Sequence, residues 1–169
     1  DVTSLVDYVI VNSVTVCSDW LNYNTGWWRG LNPEGEHKKW GYILWDNDAT
    51  FGYYINYTNI PDTSATALPC NPETLNGFSD PEGHIKVLKR LMANPGFKQY
   101  YISRYIDLMN TVFSCDNMLS YLDTVANRIA PEMTQHAARW GGDYDHWQSN
   151  VERLRDFIDH MAGSLAAVV

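Results

Sequence analysis

Two aspartates separated by a single residue are the feature of this sequence whose spacing most directly suggests chemistry. Asp46 and Asp48 lie in the segment WDNDATFG at 45–52, directly after the apolar run WGYIL. Two carboxylates this close repel each other unless a cation lies between them or water screens them. The segment is therefore predicted to be either a solvated turn or a cation site.

A second polar segment, DWLNYN, lies upstream and contains Asp19 and Asn24. An Asp followed five positions later by an Asn is also the spacing of the catalytic loop of protein kinases. In that loop the Asp accepts the proton of the attacking hydroxyl, the Asn holds magnesium, and a further Asp binds the magnesium that bridges the phosphates. Both patterns are common by chance. From these residues alone, an alternative stays open in which Asp19 caps a turn and Asp46 and Asp48 lie on a solvated strand end.

The hydrophobic pattern predicts the elements that must position these residues. A helix is predicted over 4–16 with Thr3 or Ser4 as its N-cap, followed by a loop. A small hairpin is predicted next, with WWR as one strand and WGYILW as the other. After a long irregular segment at 55–80, helices are predicted to start at Asp80–Pro81, at Asn94–Pro95, at Cys115 and near Asp143, with Pro131 either kinking the third of these or starting another.

Apolar residues at helical spacing predict which faces of these helices are buried. The predicted core-facing residues are Ile85, Leu88, Leu91 and Met92, then Tyr101, Ile102, Tyr105, Ile106 and Met109, and in the last helix Trp147, Val151, Leu154, Ile158, Met161 and Leu165.

The composition predicts one folded domain over residues 1–169, since 45% of the residues are hydrophobic and 14% aromatic. The net charge of -8 and the lack of a cluster of Lys and Arg argue against a nucleic-acid or membrane partner. No run long and apolar enough to cross a membrane is present. Cys17, Cys70 and Cys115 lack the paired spacing of a zinc site, which leaves one disulfide plus a thiol, or three thiols, open.

Four segments, in order along nearly the whole chain, resemble the CotH (spore-coat protein H) family of atypical protein kinases. They are VDYVIVNSVTVCSDWLNYNTGWWR, YILWDNDATFG, LKRLMANPGFKQYYISRYIDLMNTVF, and IAPEMTQHAARWG followed by WQSNVERLRDFID. The resemblance implies an α+β, mostly helical fold like the C-terminal lobe of a protein kinase. In that lobe a small β-hairpin carries the metal aspartate and a helical bundle follows. It also implies that the N-terminal lobe of the same parent domain is absent from this chain and would be its partner.

Carried over by position, the resemblance implies Asp19 as the catalytic residue and Asn24 and Asp46 as the residues that bind Mg²⁺ (or Mn²⁺) and ATP. Asp48 is a second metal ligand or positions the first, with a strand-end cap as the alternative. The implied function is phosphoryl transfer from ATP to Ser or Thr of secreted or surface proteins, at an extracellular location or on the cell or spore surface. This activity is expected to be incomplete here, because the sequence contains no glycine-rich nucleotide loop.

Two other interpretations are compatible with the residues. One is a non-catalytic surface, adhesion or carbohydrate-binding module. In it Trp20, Trp27 and Trp28 form a sugar platform, although at least one of them is expected to be buried, and the aspartate pair holds a structural Ca²⁺ or orders a loop. The other is a glycosidase that uses Asp46 and Asp48 as its acid and base, because alternate residues of a strand point to the same side.

Overall fold

The computed structural model describes residues 1–17, 20, 24–51 and 83–165, and the side chains among them as far as 161. The described part is mostly helical with one two-stranded antiparallel sheet, which confirms the predicted α+β class at that level. The segment at 55–80 and Cys70 lie outside it. Its elements are α1 (Val2–Val14), β1 (Gly26–Trp28), β2 (Gly41–Ile43), α2 (His84–Met92), α3 (Pro95–Asn110), α4 (Cys115–Trp140) and α5 (Tyr144–Leu165).

The chain divides into two compact units, Asp1–Ile106 and Asp107–Val169, which are described separately. The single domain over residues 1–169 stays a prediction. In the part of the chain that the structure describes, none of the helices is both long and apolar enough to cross a membrane.

Helix α1 supplies much of the core of the first unit. Its N-cap is Asp1, whose carboxylate accepts a hydrogen bond from the Ser4 backbone N–H at 3.1 Å. The prediction of Thr3 or Ser4 as the cap is wrong, because both residues already lie inside the first turn. The Ser4 hydroxyl instead accepts a hydrogen bond from the Tyr42 backbone N–H at 2.8 Å and so attaches β2 to α1. The buried apolar residues of α1 are Leu5, Val6, Tyr8, Val9, Ile10 and Val14.

The predicted hairpin is confirmed: β1 begins one residue earlier than the predicted strand WWR, and β2 is shorter than the predicted strand WGYILW. β1 and β2 pair with Trp27 opposite Tyr42, and the Gly30 N–H donates to the His37 carbonyl at 2.8 Å within the connection. Because β2 ends at Ile43, a loop separates the strand from the two aspartates.

Helix α2 and the part of α3 up to Ile106 complete the first unit. Helix α2 begins at His84 with Gly83 as its N-cap, and the predicted cap Asp80 and its neighbour Pro81 lie outside the described residues. Asn94 caps α3 as predicted, since its side-chain oxygen accepts the N–H groups of Gly96 and Phe97 at 2.9 and 3.2 Å.

The buried faces of these two helices are narrower than predicted. Ile85, Leu88 and Tyr101 are buried as expected. Ile102 and Ile106 are exposed, so their predicted burial is wrong. The physical reason is that α3 turns a different side towards α1. The Arg104 guanidinium binds both carboxylate oxygens of Asp7 at 2.8 and 3.1 Å, and the Tyr100 hydroxyl donates to Thr3.

The second unit is built from the α4–α5 pair. Helix α4 continues through Pro131 to Trp140, so the proline does not start a separate helix. Ile158 and Met161 of α5 are buried as predicted, and Trp147, Val151 and Leu154 are partly buried. Arg155 of α5 forms an ion pair with Asp123 of α4 at 2.5 Å.

Candidate functional site

One face of α1 holds both segments that carry the predicted site residues. Tyr8 and Asn12 lie four positions apart, and Thr15, the C-cap, lies three positions further on, so the three residues share one side of the helix. Tyr8 contacts the segment that ends at Thr25. Asn12 and Thr15 contact the segment 45–51, here called the acid loop.

Tyr8 fixes both ends of the segment between Trp20 and Thr25. Its hydroxyl lies 3.3 Å from the Thr25 hydroxyl, which donates to the Trp20 carbonyl oxygen at 2.6 Å. The Tyr8 and Trp20 rings meet edge to face with their centroids 5.5 Å apart. Trp20 is only 2% exposed, so its predicted part in a sugar platform is wrong. The predicted catalytic residue Asp19 lies outside the described residues, and its role stays a prediction.

Asn24 directly precedes Thr25, which contacts Tyr8 and the Trp20 carbonyl. It is partly buried, and its backbone has a φ of 55°, in the left-handed region that Asn tolerates better than most residues. Tyr8 therefore constrains the position of Asn24 through Thr25, the next residue along the chain.

Helix α1 ends in a reversal that directs the chain into the Asp19 segment. The Cys17 N–H donates to the Asn12 carbonyl at 2.9 Å and the Val16 N–H to the Ser13 carbonyl at 3.2 Å. This pair of bonds is a Schellman motif, whose residue after the C-cap is usually Gly. Here it is Val16, with a φ of 52°. A β-branched residue in this region is strained, and such strain often occurs at functional sites.

The acid loop is attached to the same helix and its C-cap by two hydrogen bonds, and a third closes the loop on itself. The Asn47 amide donates to the buried Asn12 side-chain oxygen at 3.2 Å. The Phe51 N–H donates to the Thr15 carbonyl at 2.8 Å, and the Thr50 hydroxyl closes the turn on the Asn47 carbonyl at 2.9 Å. The interior of the loop therefore packs against α1.

Asp46 and Asp48 lie on the outer side of this loop, and both are exposed. Ala49 and Thr50 are buried. Asp46 has a φ of 56°, and neither aspartate lies on a strand. The strand geometry on which the glycosidase interpretation depended is therefore wrong, and so is the placement of Asp48 as a strand-end cap.

The acid loop fits Mg²⁺ or Mn²⁺ by its donor set. Mg²⁺ commonly binds through one or two carboxylates plus water and substrate phosphates, and therefore needs no complete protein cage. Asp46 and Asp48 supply two accessible carboxylates and Asn24 would supply an amide oxygen. Within the described ranges, no three His, Cys, Asp or Glu residues cluster closely enough to form a metal site by themselves.

The hairpin presents a separate aromatic surface. Trp27 and Trp28 are 42% and 44% exposed, and the Arg29 guanidinium lies over the Trp40 ring at 5.1 Å. A groove of about 380 Å³ between α1 and the hairpin is lined by residues that include Trp28 and Tyr42. Asn24, Asp46 and Asp48 do not line this groove, so it is distinct from the predicted phosphate site.

Three residues that hold the site, Tyr8, Asn12 and Asn47, were not singled out in the sequence, where their signals are weak. Asn12 interrupts an otherwise apolar helix, and such a buried amide needs hydrogen-bond partners. Asn47 separates the two aspartates but turns inward. Tyr8 looks like an ordinary core residue in the apolar pattern, and only the fold brings its hydroxyl to Thr25.

The family of the chain follows from comparison with known proteins. A family model described as "CotH kinase protein" matches residues 1–165. The chain belongs to the CotH family. The resemblance drawn from the four sequence segments is thereby confirmed over nearly the whole chain. No curated protein matches the sequence. No solved structure matches it either. Membership of a family of kinase proteins indicates kinase-like activity for the CotH chain.

Proposed function

We propose that this CotH chain carries the metal-binding and hydroxyl-orienting residues of a protein kinase. The kinase would transfer the γ-phosphoryl group of ATP to Ser or Thr of secreted or surface proteins. The family match over residues 1–165 is the observation that carries the proposal. The geometry supports it, because α1 holds the acid loop through Asn12 and the segment next to Asn24 through Tyr8. Tyr8 and Asn12 are about one helical turn, roughly 6 Å, apart along the axis.

Each predicted residue has a role in this proposal. Asp19 accepts the proton of the substrate hydroxyl. The hydroxyl oxygen bonds to the γ-phosphorus as the bond between the γ-phosphorus and the ADP oxygen breaks. Asn24 and Asp46 hold Mg²⁺ or Mn²⁺, and Asp48 is a further ligand. When bound, the metal neutralises charge on the phosphates. The kinase-like lobe and its docking to an N-terminal lobe belong to the same proposal. So does the location outside the cell or on a cell or spore surface.

Calorimetry on this chain tests the metal and nucleotide part of the proposal. Titrations with MgATP and with MnCl₂ alone are compared for the wild type, Asp46→Asn and Glu36→Gln. Glu36 is a matched control because it is an exposed acid of the same unit, in the hairpin connection. Binding is expected in the wild type and in Glu36→Gln, and loss of binding is expected in Asp46→Asn. Unchanged affinity in Asp46→Asn would remove Asp46 from the site.

Phosphoryl transfer is tested separately on the chain joined to the N-terminal lobe of its parent domain, by ADP release in the presence of a Ser- and Thr-rich protein. Asp19→Asn is expected to abolish turnover and to leave MnCl₂ affinity and the far-ultraviolet circular dichroism spectrum unchanged. Near-normal turnover in Asp19→Asn would contradict its role as the proton acceptor.

A second candidate is a carbohydrate-binding module, and the exposed Trp27 and Trp28 favour it. Stacking of sugars on these rings predicts glycan binding that does not depend on nucleotide. Trp28→Ala would weaken this binding, whereas Asp46→Asn would not, unless the aspartates hold a structural Ca²⁺. Glycan affinity measured with and without MgATP separates this module from the kinase.

A further inference from the structure

Asn47 stands between the two proposed metal aspartates, but its side chain makes contacts on the opposite side of the acid loop. Its amide nitrogen lies 3.2 Å from the Asn12 side-chain oxygen and 3.9 Å from the Cys17 sulfur. Asn12 lies on α1, and Cys17 immediately follows the helix, two positions before Asp19 in the sequence. One amide group therefore contacts both α1 and the start of the segment that carries the predicted catalytic residue.

Asn12 is suited to act as a fixed support for this amide. Its side chain is 1% exposed, and its own amide donates to the Tyr8 carbonyl at 2.8 Å within the helix. That bond orients the Asn12 oxygen towards Asn47. Asn12 is buried and Asn47 is half-buried, so turning the Asn47 amide away would remove a hydrogen bond from the buried Asn12 oxygen.

We propose that the Asn12–Asn47 amide pair positions the acid loop so that Asp46 and Asp48 present their carboxylates to one metal ion. The part of this inference that concerns the metal rests on the proposed function, whereas the docking of the acid loop on α1 does not depend on that function. Asn47 is a positioning residue, since its side chain points away from the metal that its neighbours would bind. Residues that orient metal ligands in this way typically contribute about 10–100-fold to metal affinity.

The docking is tested without any metal by hydrogen–deuterium exchange. The Phe51 N–H is held by the Thr15 carbonyl at 2.8 Å, so its exchange reports whether the loop is docked. Asn47→Ala is expected to speed exchange of this amide at least ten-fold and to leave the amides of α4 unchanged. The control is Asn117→Ala, which removes an amide hydrogen bond to the Val112 carbonyl in the second unit. Unchanged protection of Phe51 in Asn47→Ala would overturn the inference.

Mn²⁺ affinity, read from the electron paramagnetic resonance signal of the free ion, tests the link to the metal. Asn47→Ala is expected to weaken Mn²⁺ binding about 10–100-fold, and Asn47→Gln, which keeps a donor, is expected to recover part of the loss. Wild-type affinity in Asn47→Ala would overturn the positioning role and leave the proposed function standing. If the wild type binds no Mn²⁺, the proposed metal site and the pair's role in it both fail, and the exchange experiment still decides the docking.

A double-mutant cycle tests whether the two amides act as one unit. If they do, Asn12→Ala, Asn47→Ala and the double variant should weaken Mn²⁺ binding to nearly the same extent. Independent effects that add would contradict the pair. Because Asn12 is buried, Asn12→Ala is used in the cycle only if the circular dichroism spectrum of this variant is native. If the spectrum is not native, the proposal is decided by the exchange and Mn²⁺ measurements on the Asn47 variants.

Discussion

Tyr8 is predicted to stabilise the core of the first unit mainly through the packing of its ring and only slightly through the hydrogen bonds of its hydroxyl. Its ring stacks on Tyr42 with centroids 4.5 Å apart and meets the edge of Trp20 at 5.5 Å. Its hydroxyl lies 3.3 Å from the Thr25 hydroxyl and 3.5 Å from the Trp20 carbonyl. Tyr8→Phe removes the hydroxyl and keeps the ring, whereas Tyr8→Leu removes both.

The two substitutions are expected to lower the free energy of unfolding by amounts that differ several-fold. Thr25 keeps its 2.6 Å bond to the Trp20 carbonyl without Tyr8, so Tyr8→Phe should cost only about 0.5–1 kcal/mol. Tyr8→Leu also loses two aromatic pairs, each worth about 0.5–1.5 kcal/mol beyond area burial, and leaves a small cavity. Its total cost should be about 3 kcal/mol.

Thermal unfolding followed by circular dichroism measures both values. At about 2–4 °C per kcal/mol for a chain of this size, Tyr8→Phe should lower Tm by about 1–4 °C and Tyr8→Leu by about 6–12 °C. Tyr121→Phe and Tyr121→Leu are the matched controls, since Tyr121 is 71% exposed on α4, and both should leave Tm nearly unchanged. An equal loss in Tyr8→Phe and Tyr8→Leu would refute the claim that the rings carry the stability.

Three further predictions concern other parts of the chain. Gly30→Ala should destabilise the hairpin by about 1–3 kcal/mol, because a Cβ there would lie 2.5 Å from the Glu36 carbonyl oxygen; an unchanged Tm would contradict this. Arg104→Gln should cost no more than about 1 kcal/mol by urea unfolding, since its ion pair with α1 is about one-third exposed, and a larger loss would show a stronger pair. The pKa of the Cys115 thiol is raised by burial, by the hydrogen bond to Asp159 and by nearby negative charge. Asp159→Asn should therefore speed alkylation of Cys115 at pH 8, as measured by peptide mass spectrometry. An unchanged rate would exclude this contact.

Local signals in the sequence predicted those features that depend on neighbouring residues. Asn94 followed by proline indicated a helix start, and its side chain does cap α3. The two runs WWR and WGYILW indicated the hairpin, whose register pairs Trp27 with Tyr42. Asp1 was missed as a cap because Thr3 and Ser4 are equally good capping residues by type, and only the first helical turn distinguishes them.

Features set by distant contacts could not be read from local patterns. Periodicity placed Ile102 and Ile106 on the buried face of α3, but the ion pair of Arg104 with Asp7 turns that helix to another side. The contact between Asn12 and Asn47 joins residues 35 positions apart. Composition and motif spacing identified the aspartates, whereas the support beneath them is a property of the fold.

Backbone strain concentrates in the two segments that α1 holds. Val16, Asn24, Asp46 and Phe51 have φ values of 52°, 55°, 56° and 53°, and the other non-glycine residue with positive φ in the described part is His37 of the hairpin connection. Such a conformation costs about 1–2 kcal/mol for Val16 and Phe51, whereas Asn24 and Asp46 are of residue types that tolerate it better. Hydrogen bonds to α1 and its C-cap hold Val16 and Phe51 in this conformation, which their residue types do not favour. Strain of this kind clusters at active sites, where the surrounding fold maintains it.

The dependence of the acid loop on α1 leads to a final prediction. A synthetic peptide covering residues 40–52 contains the same two aspartates but lacks the helix that holds the loop in its strained form. The free peptide must lose conformational entropy to reach that form, at a cost of about 1–2 kcal/mol for each residue fixed. Its Mn²⁺ affinity should therefore be at least about ten-fold weaker than that of the whole chain, since about 1.4 kcal/mol already corresponds to a factor of ten. Equal affinity in the two samples would show that two neighbouring carboxylates suffice, and that α1 does not organise the site.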